Sequence, residues 1–141
     1  MNKLTSFTIA LAGVLLINSC DNSQKTYNSH IPSKLLQFEY MGTKDTSCAI
    51  LSGQILGRNE KGDTIPLEGI TIVVTDNYID YETDKDGKFT SCNSSGAKEV
   101  EIAKNGYQIA ILENYVAKPG QLAGFKILLE QGEGDIILKI E

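Results

Sequence analysis

Between residues 49 and 140 the chain runs in short stretches of alternating character, and turn signals interrupt them about every 8–12 residues. This constrains the fold more than any other feature, because a strand presents every second side chain to the same face. Ala49, Leu51, Gly53 and Ile55 alternate with Ile50, Ser52 and Gln54. After a polar turn over 57–63, Ile70, Ile72 and Val74 alternate with Thr71, Val73 and Thr75, a β-branched run suited to a pleated surface. Ile79, Tyr81 and Thr83 form the next alternation. Asp84-Lys85-Asp86-Gly87 then turns the chain into a strand over 88–92. Asn93-Ser94-Ser95-Gly96 is another turn, after which Val100 and Ile102 point inward between Glu99, Glu101 and Ala103. Lys104-Asn105-Gly106 leads into 107–112, and the last runs are 125–129 and 135–140. No window beyond the N-terminal segment carries a helical period. The pattern predicts an all-β sandwich of seven or eight strands.

Ahead of this domain the chain opens with Met1-Asn2-Lys3, an apolar run over 7–17, and Ile17-Asn18-Ser19-Cys20. A short positive start and about ten apolar residues suit an export signal and are too short for a spanning helix. A cysteine directly after Ile-Asn-Ser is similar to the lipobox of bacterial lipoproteins, with Asn18 departing from the usual small residue. The resemblance implies a diacylglyceryl group on the Cys20 thiol, cleavage before Cys20 and acylation of the new amine by a chain such as palmitate. Each buried CH₂ of such chains adds about 0.8 kcal/mol, so Cys20 would hold the protein on membrane lipid. An ordinary secretory signal in which Cys20 stands by chance is the other reading. The expected organisation is a signal peptide over 1–19, a lipidated tether over 20–46 and a sandwich domain over 47–141. Residues 21–34 are polar and read as flexible, whereas 35–40 suits an edge strand or a short helix. The expected location is the bacterial envelope, at the outer membrane. The periplasmic face is preferred over the cell surface, since Asp21-Asn22-Ser23 is not a strong acidic export cluster.

Loss of residues 1–19 would remove Lys3 and leave 12 basic against 18 acidic residues, a net charge of −6. Arg58 is the single arginine, so the chain lacks the basic footprint that nucleic acid requires. The same composition argues against a peripheral membrane role through a basic patch. With Cys20 committed to lipid, Cys48 and Cys92 remain as an even pair in an exported protein. Exported compartments oxidise thiols, so a disulfide closing a loop of about 45 residues is expected. Two reduced, half-buried thiols are the alternative.

Four blocks follow one another in order. They are Ser52-Gly53-Gln54-Ile55, then Gly62-Asp63-Thr64-Ile65-Pro66-Leu67-Glu68-Gly69-Ile70, then Thr83-Asp84-Lys85-Asp86-Gly87-Lys88-Phe89, then Asn105-Gly106-Tyr107. Together they resemble the carboxypeptidase-regulatory-like family, whose pattern runs G-x-V, P-L-x-G-A, T-D-x-D-G-x-F and G-Y, and the resemblance implies a transthyretin-like, seven- to eight-stranded Greek-key β-sandwich. Ile70 departs from the usual small residue. The resemblance covers about 60 residues and implies structural duty for Gly53, Pro66, Leu67, Gly69, Asp84, Asp86, Gly87, Phe89, Gly106 and Tyr107. Gly53 would leave room for a backbone or a ring, Pro66 would preset a turn, and Phe89 would pin its strand to the core. For function it implies scaffolding or adhesion without catalysis, since the module is a passenger in many exported proteins. Some short lipidated copies accompany radical-SAM enzymes.

Specific chemistry finds little support. Glu82-x-Asp84-x-Asp86-Gly87 has the acid spacing of a calcium loop, but Glu stands at the first position and Asn93 at the twelfth. The sole histidine, His30, lies in the tether, so neither a zinc cluster nor a nucleophile–base pair can be assembled. Asp80/Glu82 and Asp84/Asp86 sit two apart on an open rim, unlike a glycosidase pair in a cleft. Gly120, Gly124, Gly132 and Gly134 lack the strand-to-helix context of a phosphate cradle. Tyr78, Tyr81, Tyr107 and Tyr115 offer a stacking platform for sugars, or ordinary core aromatics. Asp63-Thr64-Ile65 matches a short O-glycosylation signal. The sequence thus predicts no catalytic residue, no metal and no cofactor. It points to an interaction or structural module whose partner is an envelope protein or a neutral glycan. The alternatives are a carbohydrate- or peptide-binding lipoprotein of an outer-membrane uptake system, or one associated with a radical-SAM enzyme.

Overall fold

The computed structural model describes residues 31–44, 46–77 and 79–141, and these form two five-stranded sheets. The signal segment, Cys20, His30 and Tyr78 lie outside the described residues. The strands in chain order are β1 (Lys34–Gly42), β2 (Ala49–Arg58), β3 (Thr64–Pro66), β4 (Thr71–Val74), β5 (Tyr81–Glu82), β6 (Lys88–Asn93), β7 (Gly96–Ala103), β8 (Ile109–Ala117), β9 (Gln121–Leu128) and β10 (Asp135–Lys139). The first sheet runs β1-β9-β2, with β3 and β6 both pairing the far side of β2. The second runs β10-β8-β7-β4-β5. Two pairings are parallel, β2 with β9 and β8 with β10.

The alternation read from the sequence sets which side chains enter the core. Ala49, Leu51 and Ile55 of β2 and Ile127 of β9 face Ile72 and Val74 of β4, Val100 and Ile102 of β7 and Leu112 of β8. All are buried, and each aliphatic chain so enclosed contributes about 1.5–3 kcal/mol relative to exposure.

At the centre of the first sheet β2 carries Gly53, which pairs with Phe89 on one side and Phe125 on the other. The two rings lean together with centroids 5.5 Å apart and cover the glycine. A Cβ at Gly53 would lie 2.5 Å from Phe125 Cζ and 2.6 Å from Phe89 Cε1, so the missing side chain is what admits them. Cys48 and Cys92 form a disulfide beside this pairing, with Cα atoms 5.6 Å apart, and join the start of β2 to β6.

The sandwich begins earlier than residue 47. Within the 20–46 segment assigned to the tether, 34–42 is the edge strand β1, paired antiparallel with β9, and the compact unit starts at Ile31. The extended alternative for 35–40 prevails because Leu35 and Phe38 cover the flank of the core. Short β3 and β5 also raise the strand count to ten. The alternation drawn through Ile79 stops short. The chain bends at Asp76 (φ 65°), only Tyr81–Glu82 pairs with β4, and Ile79 is 67% exposed.

β8 continues to Ala117, past the predicted end at 112, because an extra residue re-phases it. Lys98 pairs with Tyr115 and Val100 with Leu112, so one residue of β7 opposes two of β8, and Asn114 takes φ 69°. Tyr115 therefore points inward, although it has the opposite parity to Leu112.

Two expectations follow. Cys48→Ala combined with Cys92→Ala should lower unfolding stability by about 4 kcal/mol in denaturant titration, the chain-entropy value for this separation of 44 residues. Gly53→Ala should cost about 1–3 kcal/mol through displaced rings, and a smaller loss would refute the close fit.

Candidate functional site

Most residues singled out by their motif hold the connections between strands, while Gly53 and Phe89 sit at the centre of the first sheet. Thr83 is the hub. Its hydroxyl donates to the Leu67 carbonyl (2.6 Å) and accepts from the Ile70 amide (2.9 Å), while its carbonyl accepts from the Gly69 amide (3.0 Å). Gly69, at φ 73°, makes the turn after buried Leu67, and Pro66 ends β3 opposite Leu56. The Gly87 carbonyl accepts from the Ile55 amide at 2.7 Å, and the Ile55 carbonyl accepts from Leu67 at 3.0 Å. Gly106, at φ 88°, precedes Tyr107, which bridges to Gln131 and packs half-buried against the core.

Asp84 belongs to the same knot. One carboxylate oxygen accepts from the Asp86 and Lys88 amides, each at 2.9 Å, a local turn cap. Asp86 contributes its carbonyl, which accepts from Gln54 Nε2 at 3.0 Å, while the residue is exposed. Among the described residues no group of three or more His, Cys, Asp or Glu is placed to hold a metal. Among the described residues the tyrosines do not gather into one platform. Tyr115 is enclosed between the sheets, Tyr81 and Tyr107 pack against the core, and Tyr40 stands on β1, where its hydroxyl accepts from the Val116 amide at 3.2 Å.

Two buried polar clusters escape the sequence reading. The first seats the N-terminal segment. Gln108 Oε1 accepts from the Ser33 amide and hydroxyl, both at 2.8 Å, and Gln108 Nε2 donates to the Ile31 carbonyl at 3.0 Å. The Glu130 amide donates to Ser33 Oγ at 2.9 Å, and the buried Glu130 carboxylate pairs with Arg58 at 2.8 Å. These partners are 75 and 97 positions from Ser33, so no local signal marks them.

The second cluster replaces the apolar core between the far ends of β6, β7 and β8. Lys98 is buried, donating to Ser94 Oγ at 2.9 Å and lying 3.4 Å from the exposed Asp76 carboxylate. Asn93 accepts from the Asn77 amide and donates to Ser91 Oγ at 3.1 Å. Beside them the Tyr115 hydroxyl is buried and, among the described residues, has no hydrogen-bond partner. Burial pushes the Tyr115 hydroxyl above its ordinary range; the nearby Asn93 side chain opposes the shift without reaching hydrogen-bond geometry, and Tyr40 adds to it. The inward parity of Lys98 with Val100 and Ile102 is the signal that reveals this cluster.

The outer faces of the two sheets differ in charge. Outward positions of the first sheet carry Lys34, Arg58, Lys88 and Lys126 against Glu39. Those of the second carry Glu82, Glu99, Glu101, Glu113 and Asp135 against Lys139.

No protein-family model matches the chain, and no curated protein matches it significantly. Among solved structures it is similar to a chain of a type II cohesin–X-dockerin complex from Acetivibrio cellulolyticus, with 17% identity and a TM-score of 0.42. That match covers 64% of this chain and 52% of the other, so the chain spans about half the length of that relative. The 3-chlorocatechol 1,2-dioxygenase of Rhodococcus opacus 1CP is similar at 14% identity and a TM-score of 0.40, over 64% of this chain and 63% of the enzyme. Likeness at this level says nothing of function.

Tyr115→Phe tests the second cluster. A hydroxyl with a raised folded-state pKa leaves stability complete below about pH 10 and erodes it as the pH rises through the folded value. The variant should therefore change stability at neutral pH by less than about 1 kcal/mol and should lose part of the alkaline decline. A loss of several kcal/mol at neutral pH would reveal a hydrogen bond to the hydroxyl.

Proposed function

We propose that the chain is a non-catalytic, lipid-anchored β-sandwich module of the bacterial envelope, held through Cys20 and acting by binding another envelope protein. The observation that carries the reading is how the polar side chains of the domain are engaged. Thr83 and Asp84 hold turns, Ser33, Gln108 and Glu130 seat the N-terminal segment, and Lys98 lies buried among Ser94, Asp76 and its neighbours. What lies open instead is two broad sheet faces, the surface through which a sandwich module meets partners. The four sequence blocks add support, since the carboxypeptidase-regulatory-like family that they resemble serves as a passenger without catalysis. The lipobox-like run before Cys20 supports the anchor, and an outer-membrane position on the periplasmic face accords with the weakly acidic residues after it.

Fatty-acid analogue labelling should mark the wild-type protein and leave Cys20→Ala unmarked; equal incorporation in both would remove the anchor from the reading. Cross-linking in the intact envelope should join the protein to a second polypeptide, while ester, peptide and glycoside substrates stay unhydrolysed. Turnover that is abolished by Asp86→Asn, whose carboxylate the fold does not need, would overturn the non-catalytic assignment.

A further inference from the structure

The outward positions of the second sheet form rows of aliphatic side chains and carboxylates. Ile137 of β10 pairs with Ile111 of β8, Ile111 with Glu101 of β7, and Glu101 with Val73 of β4, a straight row over four strands. One row away Asp135 stands beside Ile109, and Thr71 stands between Ala103 and Glu82. Same-face rows are about 7 Å apart and strands about 4.8 Å apart, so Ile137, Ile111 and Ile109 occupy adjacent positions of one aliphatic patch. Ile137 is 54% exposed, and Ile109, Ile111 and Val73 are half-buried. Glu101, Asp135, Glu82 and Glu99 surround the patch, and among the described residues none of them forms an ion pair. On the strands of this face only Lys139 opposes them, beside Glu113.

Aliphatic area alone would suit any apolar partner, but the carboxylates select among them. An anionic lipid surface or an acidic protein is repelled at close range, and a neutral apolar surface would desolvate the carboxylates without compensation. A partner with ammonium or guanidinium groups placed around aliphatic side chains satisfies both features. We infer that the outer face of the second sheet docks a protein surface that is aliphatic at its centre and basic at its rim, Ile137 and Ile111 meeting the aliphatic part and Glu101, Asp135 and Glu82 the cations. This inference rests on the reading of the chain as an interaction module and names its surface and the chemistry of its partner.

The test places a photoreactive benzoylphenylalanine, in the full chain and in the intact envelope, at Ile137 on this face or at Thr90 on the outer face of the first sheet. The expected result is an adduct from position 137 whose partner peptide carries Lys or Arg next to the attachment site. The adduct should fall about tenfold on Glu101→Lys, a solvent-face change that should leave the melting temperature in place, and should weaken with added salt. An adduct from position 90 alone overturns the inference and leaves the interaction module standing. So does a yield from 137 that Glu101→Lys does not alter. An adduct with lipid, with an acidic peptide or with a second copy of the chain also overturns it. No adduct from either position removes the interaction reading itself.

Discussion

Two phenylalanines reach toward one glycine, and the first sheet is organised around that approach. β2 pairs with β9, β6 and β3, so every strand of the sheet except β1 hangs directly on it. At its middle Gly53 lets Phe125 and Phe89 close over the backbone from either side. The rings fill the volume that a side chain on β2 would occupy and couple a parallel neighbour to an antiparallel one. With their places set, Ile55 and Ile127 meet the second sheet, and the knot around Thr83 follows from Ile55, whose carbonyl receives the Leu67 amide.

Much of this architecture was legible in the chain. The alternations through Leu51, Ile72 and Ile102 predict which side chains are buried, and an even cysteine pair, taken with the export expected from the N-terminal segment, predicts the Cys48–Cys92 bond. Gly53 announces a close approach without naming the rings. What stayed hidden depends on contacts far apart in sequence or on local irregularity. The bulge at Asn114 breaks the period, so Tyr115 and Ala117 read as if outside the strand although both are buried. β1 became a strand because β9, some eighty positions later, offers it an edge. Strand direction is likewise invisible to periodicity, and the two parallel pairings have no counterpart in the pattern.

The distribution of polar groups divides the domain by use. Within the sandwich the aliphatic core gives way at one end to Lys98, Asn93 and Tyr115 and at another to Ser33, Gln108 and Glu130. Groups there are enclosed and mostly paired, as low-dielectric surroundings require. Outside, charge is sorted by sheet, basic over the first and acidic over the second. A net charge read from composition therefore hides how unevenly the outward strand positions of the two sheets are charged. The exclusion of a basic patch drawn from composition describes the chain as a whole and not each of its faces.

The seat around Ser33 has a mechanical meaning. Gln108 immediately precedes β8 of the second sheet, and Glu130 follows β9 of the first. Any pull arriving through the residues before Ile31 is thus divided between both sheets before it reaches the edge pairing of β1 with β9. Several hydrogen bonds must fail together for the strand to peel, and they lie shielded from water. A sandwich held this way resists peeling of β1 when it is pulled from its N-terminal end.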